Sequence, residues 1–174
     1  DPGEPTQEDL GEHEFRLHVP TGTTPAPLLV WLCDDGESAS NVLDAWRPVV
    51  GKDAAILALE PSYPYVGDDG LRGARWFFAG SVSEGGGLAH AAIERAVAEA
   101  FDAENVAGRN RLDPARVVIA GSGTGGTVAV YVARYTDELA AKFVAFAPVA
   151  SDEFGLMTLP LPLRPRTPQR SLAI

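Results

Sequence analysis

The chain has one cysteine among its 174 residues. A lone thiol excludes an intrachain disulfide, and Cys33, closing an apolar run, reads as a small core hydrophobe. No apolar stretch nears the ~18–20 residues that a membrane-spanning helix requires. Basic residues are scarce: 14 Lys and Arg face 24 Asp and Glu, for a formal net charge of −10. Such an acidic chain repels phosphate backbones and anionic lipid, so no nucleic-acid role is expected. Histidines are few, and His13, His18 and His90 lack the spacing to nearby Cys or Glu that a zinc site needs. The carboxylates Asp34, Asp35, Glu37, Asp68 and Asp69 fall outside any Asp-x-Asp-x-Asp-Gly loop, so they read as solvated rather than as calcium ligands. No metal and no cofactor is expected. The first residue is Asp1, and the compartment stays open between the cytoplasm and export after loss of a signal peptide.

What the chain does have is apolar material, 45% of its residues, enough for one domain with a sizeable core. Residues 1–13 are polar and acidic and read as an arm. Residues 14–174 read as the domain, incomplete at its C-terminal part. Glu14–Val19 alternates apolar and polar side chains, the pattern of a half-buried strand near a sheet edge. Leu28–Cys33, Ala54–Leu59, Arg116–Ala120 and Lys142–Ala147 are short continuous apolar runs, expected of strands covered on both faces. Asn41–Val50, Leu88–Glu104 and Thr127–Tyr135 carry helical spacing. Residues 61–87, with their Pro, Gly and Asp, read as irregular. Alternating strands and helices predict an α/β domain with a mostly parallel sheet.

One turn carries the functional question. Arg116–Tyr135 reads RVVIAGSGTGGTVAVYVARY, a strand entering a glycine turn and leaving as a helix. Gly121, Gly123 and Gly126 satisfy the G-x-G-x-x-G phosphate cradle. That reading also needs an acidic residue about 20 positions on, at the end of the next strand. The next strand here ends in Ala and Pro, with Asp152 and Glu153 well beyond, so the dinucleotide-binding fingerprint is half filled.

The stretch LDPARVVIAGSGTGGTVAVYVA resembles the nucleophile elbow of α/β-hydrolases of the carboxylesterase/phospholipase-like type. LLVWLCDDGES, EPSYP and RWFF follow the order of that family's landmarks. The resemblance implies an oxyanion loop at Cys33, Asp34, Asp35 and Gly36, and an elbow at Gly121, Ser122, Gly123, Thr124 and Gly125. It also implies that Gly123 stands where the family has its serine, an exchange that removes the nucleophile and the strain of its turn. Ser122, one position early, points elsewhere on a strand path. Thr124 falls in the first helical turn, where its N–H would face an oxyanion and its hydroxyl would cap the helix. The fold's triad runs Ser, Asp or Glu, then His, and no histidine follows residue 123. Asp34 and Asp35 would crowd a place that needs donors.

The expectation is therefore a hydrolase-like domain without hydrolysis, kept as a structural or protein-binding module. The alternative is a serine esterase whose other triad residues lie beyond residue 174 or on another chain. A protein partner or self-association would use Trp76, Phe77 and Phe78, together with the apolar tail Ser171, Leu172, Ala173 and Ile174, a candidate unpaired strand edge.

Overall fold

The computed structural model describes residues 15–61, 63–66, 72–76, 82–135 and 142–149. The N-terminal arm, Phe77, Phe78 and Ser171–Ile174 lie outside the described residues.

Among the described residues, five strands form one sheet: β1 (Phe15–His18), β2 (Ala26–Leu32), β3 (Ala55–Leu59), β6 (Leu112–Ser122) and β7 (Ala145–Val149), in the order β1-β3-β2-β6-β7. β1 runs antiparallel to β3, and the remaining pairs are parallel. The central register sets Val30 against Leu57 and Ile119. β6 lies between β2 and β7, inside the sheet rather than at its edge. β4 (Tyr63–Val66) and β5 (Arg72–Arg75) form a separate antiparallel ribbon. This ribbon lies in the stretch that reads as irregular in sequence. Each strand has only four residues, below the length at which alternation becomes a signal.

Among the described residues, three helices cover the sheet: α1 (Ala39–Val50), α2 (Val82–Val106) and α3 (Gly123–Tyr135). Successive side chains of a strand point to opposite faces, and the two faces collect different partners. Leu28, Val30, Leu32, Leu57, Val117 and Ile119 face α2 and α3 in the larger core cluster. Trp31, Ala58 and Ala120 face α1, where Trp31 and Trp46 pack with ring centroids 4.7 Å apart. α2 begins at Val82, six residues before the periodicity suggests, because Gly85, Gly86 and Gly87 mask the helix signal. β7 starts three residues later than its apolar run: Lys142 precedes the strand and its ammonium lies 2.6 Å from Glu94 of α2.

From β2 the chain passes to β3 on one side, while β6 lies on the other. The strand order therefore reverses between β2 and β6. In open α/β sheets such a switch point leaves a crevice at the carboxyl ends of the two strands. Those ends carry Cys33-Asp34 and Ser122-Gly123.

Far from the crevice, Glu104 anchors the end of α2. It is 3% exposed and meets Arg111 at 2.9 Å and Arg109 at 3.2 Å. Its carboxyl is held below the ordinary range, first by the hydrogen bond from Arg111. Nothing in the linear pattern singles out this group, whose partners come from the turn into β6.

Candidate functional site

The turn between β6 and α3 is built on close backbone approach. A Cβ on Gly121 would lie 2.6 Å from the carbonyl carbon of Gly125, and one on Gly125 would lie 2.6 Å from the carbonyl oxygen of Cys33. Gly121 is thus required by packing within the turn, and Gly125 by packing of the turn against the end of β2. Gly123 is different: its φ is +50°, the left-handed region that L side chains disfavour. This is the elbow conformation expected from the sequence, occupied by the residue that adopts it without strain.

The space that a side chain at 123 would fill is taken. A Cβ there would fall on the carboxyl group of Asp34. Asp34 Oδ1 accepts the Thr124 backbone N–H at 2.8 Å and the Asp35 N–H at 2.8 Å, and the Thr124 hydroxyl lies 3.0 Å away. The Thr124 N–H belongs to the first turn of α3, where unpaired donors and the helix dipole favour an anion. The anion there is the chain's own. The Thr124 hydroxyl, expected to cap the helix, instead lies between two carboxylates, 2.7 Å from Asp35 Oδ1.

The loop carrying Asp34 is held from several sides. Glu37 Oε2 accepts the Asp34 N–H at 2.9 Å and the Ser122 hydroxyl at 3.2 Å. Ser122 thus turns away from the position beside Gly123, as strand alternation requires. The Gly36 N–H donates to the carbonyl of Ala74 on β5 at 2.9 Å, and the Trp76 N–H donates to Asp35 Oδ1 at 3.3 Å. The Trp76 indole donates to the Cys33 carbonyl at 2.7 Å. Trp76 is buried, so it is withdrawn from the expected partner surface, and it belongs to the larger core cluster. After the loop, Ser38 caps α1 by accepting the Asn41 N–H, and Glu60 at the end of β3 accepts the Ala39 N–H at 2.6 Å.

Cys33 is buried at the end of β2, and burial, with Glu37 and Glu60 nearby, pushes its thiol far above the ordinary range. The thiolate is the reactive form. The folded protein is therefore expected to leave Cys33 unmodified by a disulfide thiol reagent at mildly alkaline pH, with one thiol reacting after denaturation. Rapid labelling of the folded chain would contradict this.

Neither described histidine reaches the crevice. The His18 ring is hydrogen-bonded at 3.0 Å to the carbonyl of Gly51, and His90 lies on α2 near Glu94. Among the described residues no cluster of His, Cys, Asp and Glu can hold a metal ion, and no helix is long and apolar enough to cross a membrane. Chemically, the turn offers a left-handed residue without a side chain and a backbone donor already bound to a carboxylate.

No protein-family model matches the chain, and no curated protein matches it. Solved structures do. A phospholipase/carboxylesterase from Dyadobacter fermentans is 14% identical, with 80% of this chain and 60% of that one aligned at a TM-score of 0.53. An esterase from Rhizomucor miehei is 16% identical, with 80% and 40% covered at 0.53. The Bacillus cereus carboxylesterase is 14% identical, with 79% and 59% covered at 0.50. The chain spans about half the length of such structures. Their likeness is one of fold, and with the sheet order and the elbow it gives the chain the α/β-hydrolase architecture.

Proposed function

We propose that this is a hydrolase-fold domain without hydrolytic activity, retained as a structural or protein-binding module. The observation that carries the reading is Asp34. A serine hydrolase needs a nucleophile at the elbow and vacant donors where its oxyanion develops. Here residue 123 has no side chain, and the Thr124 N–H is spent on a fixed carboxylate. A negative charge in that place opposes a second, developing negative charge from a substrate.

The test is direct. The protein is expected not to hydrolyse short-chain p-nitrophenyl esters above the buffer rate, and a fluorophosphonate probe is expected to leave Ser122 unlabelled. Stoichiometric labelling of Ser122, read by mass spectrometry of the peptide, would overturn the reading. The binding role predicts a protein partner or self-association, with Phe77, Phe78 and Ser171–Ile174 as candidate contacts. A pull-down that loses its partner on replacing Phe77 and Phe78 by Ser would support it.

A second reading draws on the chain's spanning about half of its structural neighbours: an esterase completed by further residues. It still requires a nucleophile in place of Gly123. A longer polypeptide that hydrolyses these esters would favour it.

A further inference from the structure

β1 stands at the edge of the sheet, paired with β3 on one side. Its outer side faces no strand among the described residues. An edge strand presents backbone N–H and C=O groups to any chain that can pair with them. The side chains of β1 alternate. Phe15 and Leu17 pack against the larger core, Arg16 is exposed, and the His18 ring meets the carbonyl of Gly51 at the end of α1. In the sequence the same alternation runs back through Glu14, His13 and Glu12, between Gly11 and Pro20. We propose that residues 12–18 pair with residues 12–18 of a second copy, antiparallel and centred on Phe15, so that two five-stranded sheets become one across a two-fold axis.

The charges select both the partner and the register. A chain of net charge −10 repels its own copy at long range, so any attraction must be local. Protected edges carry charges that turn other strands away. This one carries both signs at positions that a two-fold axis exchanges. In an antiparallel pair, residues directly opposite each other hold their side chains on the same face and interact. With the axis at Phe15, Glu14 of each copy stands opposite Arg16 of the other. Glu12 stands opposite His18, a lesser pair because that ring already meets the Gly51 carbonyl at 3.0 Å. Phe15, half-buried at the start of β1, stands opposite itself on the core face, where each ring covers the other. Neighbouring registers fail. With the axis at Glu14, that carboxylate faces its own copy. With the axis at Arg16, two guanidinium groups meet. An axis midway between Phe15 and either neighbour sets Glu14 opposite Phe15 or Leu17, because a slip by one residue exchanges the faces.

Such an interface is isologous: the same patch serves both copies, and every pair off the axis occurs twice. Main-chain hydrogen bonds supply the attraction, and the side-chain pairs fix the register, as in other cases where one strand is added to another's edge. The pairing lies at the opposite edge from β7 and leaves the turn between β6 and α3 as it is. It rests on the binding role proposed above and names a partner for it, a second copy of this chain. Its failure would leave the absence of ester hydrolysis and the contacts at Phe77 and Phe78 untouched, since those are read by other assays.

The experiment is a charge exchange read by sedimentation velocity and native mass spectrometry. The wild-type chain is expected to sediment as a dimer. Glu14→Arg sets like charges opposite each other on both sides of the axis, and Arg16→Glu does the same with the other sign. Each change alone is expected to raise the dimer dissociation constant about tenfold or more, since both symmetric pairs pass from attraction to repulsion. The chain carrying both changes is expected to regain the dimer. Mixed in equal amounts, the two single variants are expected to form a mixed dimer, identified by its mass, because each supplies the charge that the other lacks. Circular dichroism of both single variants is expected to match wild type, which separates dissociation from unfolding. A wild-type monomer would overturn the proposal, whether the edge is bare or covered by residues 1–11. So would a dimer indifferent to both single changes, or single variants that stay apart when mixed.

Discussion

Replacing Gly123 by serine is expected to destabilise the protein without giving it esterase activity. The left-handed φ costs an L residue about 1–2 kcal/mol. The new Cβ falls on the Asp34 carboxyl, which must leave the Thr124 N–H. Inserting atoms into a filled site typically costs about 1–3 kcal/mol more, so a total loss of about 2–5 kcal/mol is expected by denaturant melting. Asp34→Ala in the same chain vacates the space, and the pair is expected to be less destabilising than the sum of the single changes, since the two residues meet in one place. Strict additivity would show that Asp34 does not occupy the elbow. Hydrolysis is expected in neither variant, because neither described histidine is near the crevice. A Gly123→Ser chain with native stability and measurable turnover would refute both the geometry and the proposed function.

The second large effect is expected at Glu104. Its carboxylate is nearly inaccessible and takes hydrogen bonds from Arg109 and from both Arg111 Nε and a terminal nitrogen. Glu104→Ala leaves Arg111, itself largely covered, without its counter-ion. Removing one partner of a buried pair costs about 3–5 kcal/mol. Arg109 is half exposed and can turn to water, so about 3 kcal/mol is expected. The pH dependence follows from the lowered pKa of Glu104. A carboxyl whose pKa is lowered on folding contributes stability above its unfolded pKa, about 4.3, and that contribution is lost as pH falls through the folded value. Wild type is therefore expected to lose stability on acidification through this window, and Glu104→Gln to lose less. Parallel acid melts of the two chains would show that the ion pair contributes nothing to the fold.

The sheet was legible in the sequence because buried parallel strands leave a local signature. Ala55–Leu59 and Leu28–Leu32 are apolar at every position, and both sit between helical layers. The elbow was legible for a similar reason: glycines at 121, 123 and 125 state where backbone must approach backbone and where φ must be positive. That Gly123 cannot serve as a nucleophile needed no structure, since glycine has nothing to attack with. The Tyr63–Val66 and Arg72–Arg75 ribbon left no such mark, because strands of four residues, YPYV and RGAR, carry little periodicity. The burial of Trp76 was equally hidden: its partner, the Cys33 carbonyl, is 43 residues away.

What the chain by itself determined was the architecture, the glycine turn and a residue 123 without a side chain, each a property of residue type and short-range spacing. Tertiary structure alone decided what fills the turn. Asp34 and Thr124 lie 90 residues apart, and only the parallel pairing of β2 with β6 brings their ends to one crevice. A carboxylate at position 34 reads in the sequence as a charge in the wrong place. In the fold it is the ligand of the helix N-terminus, because a backbone donor there is satisfied by whichever anion the sheet register delivers.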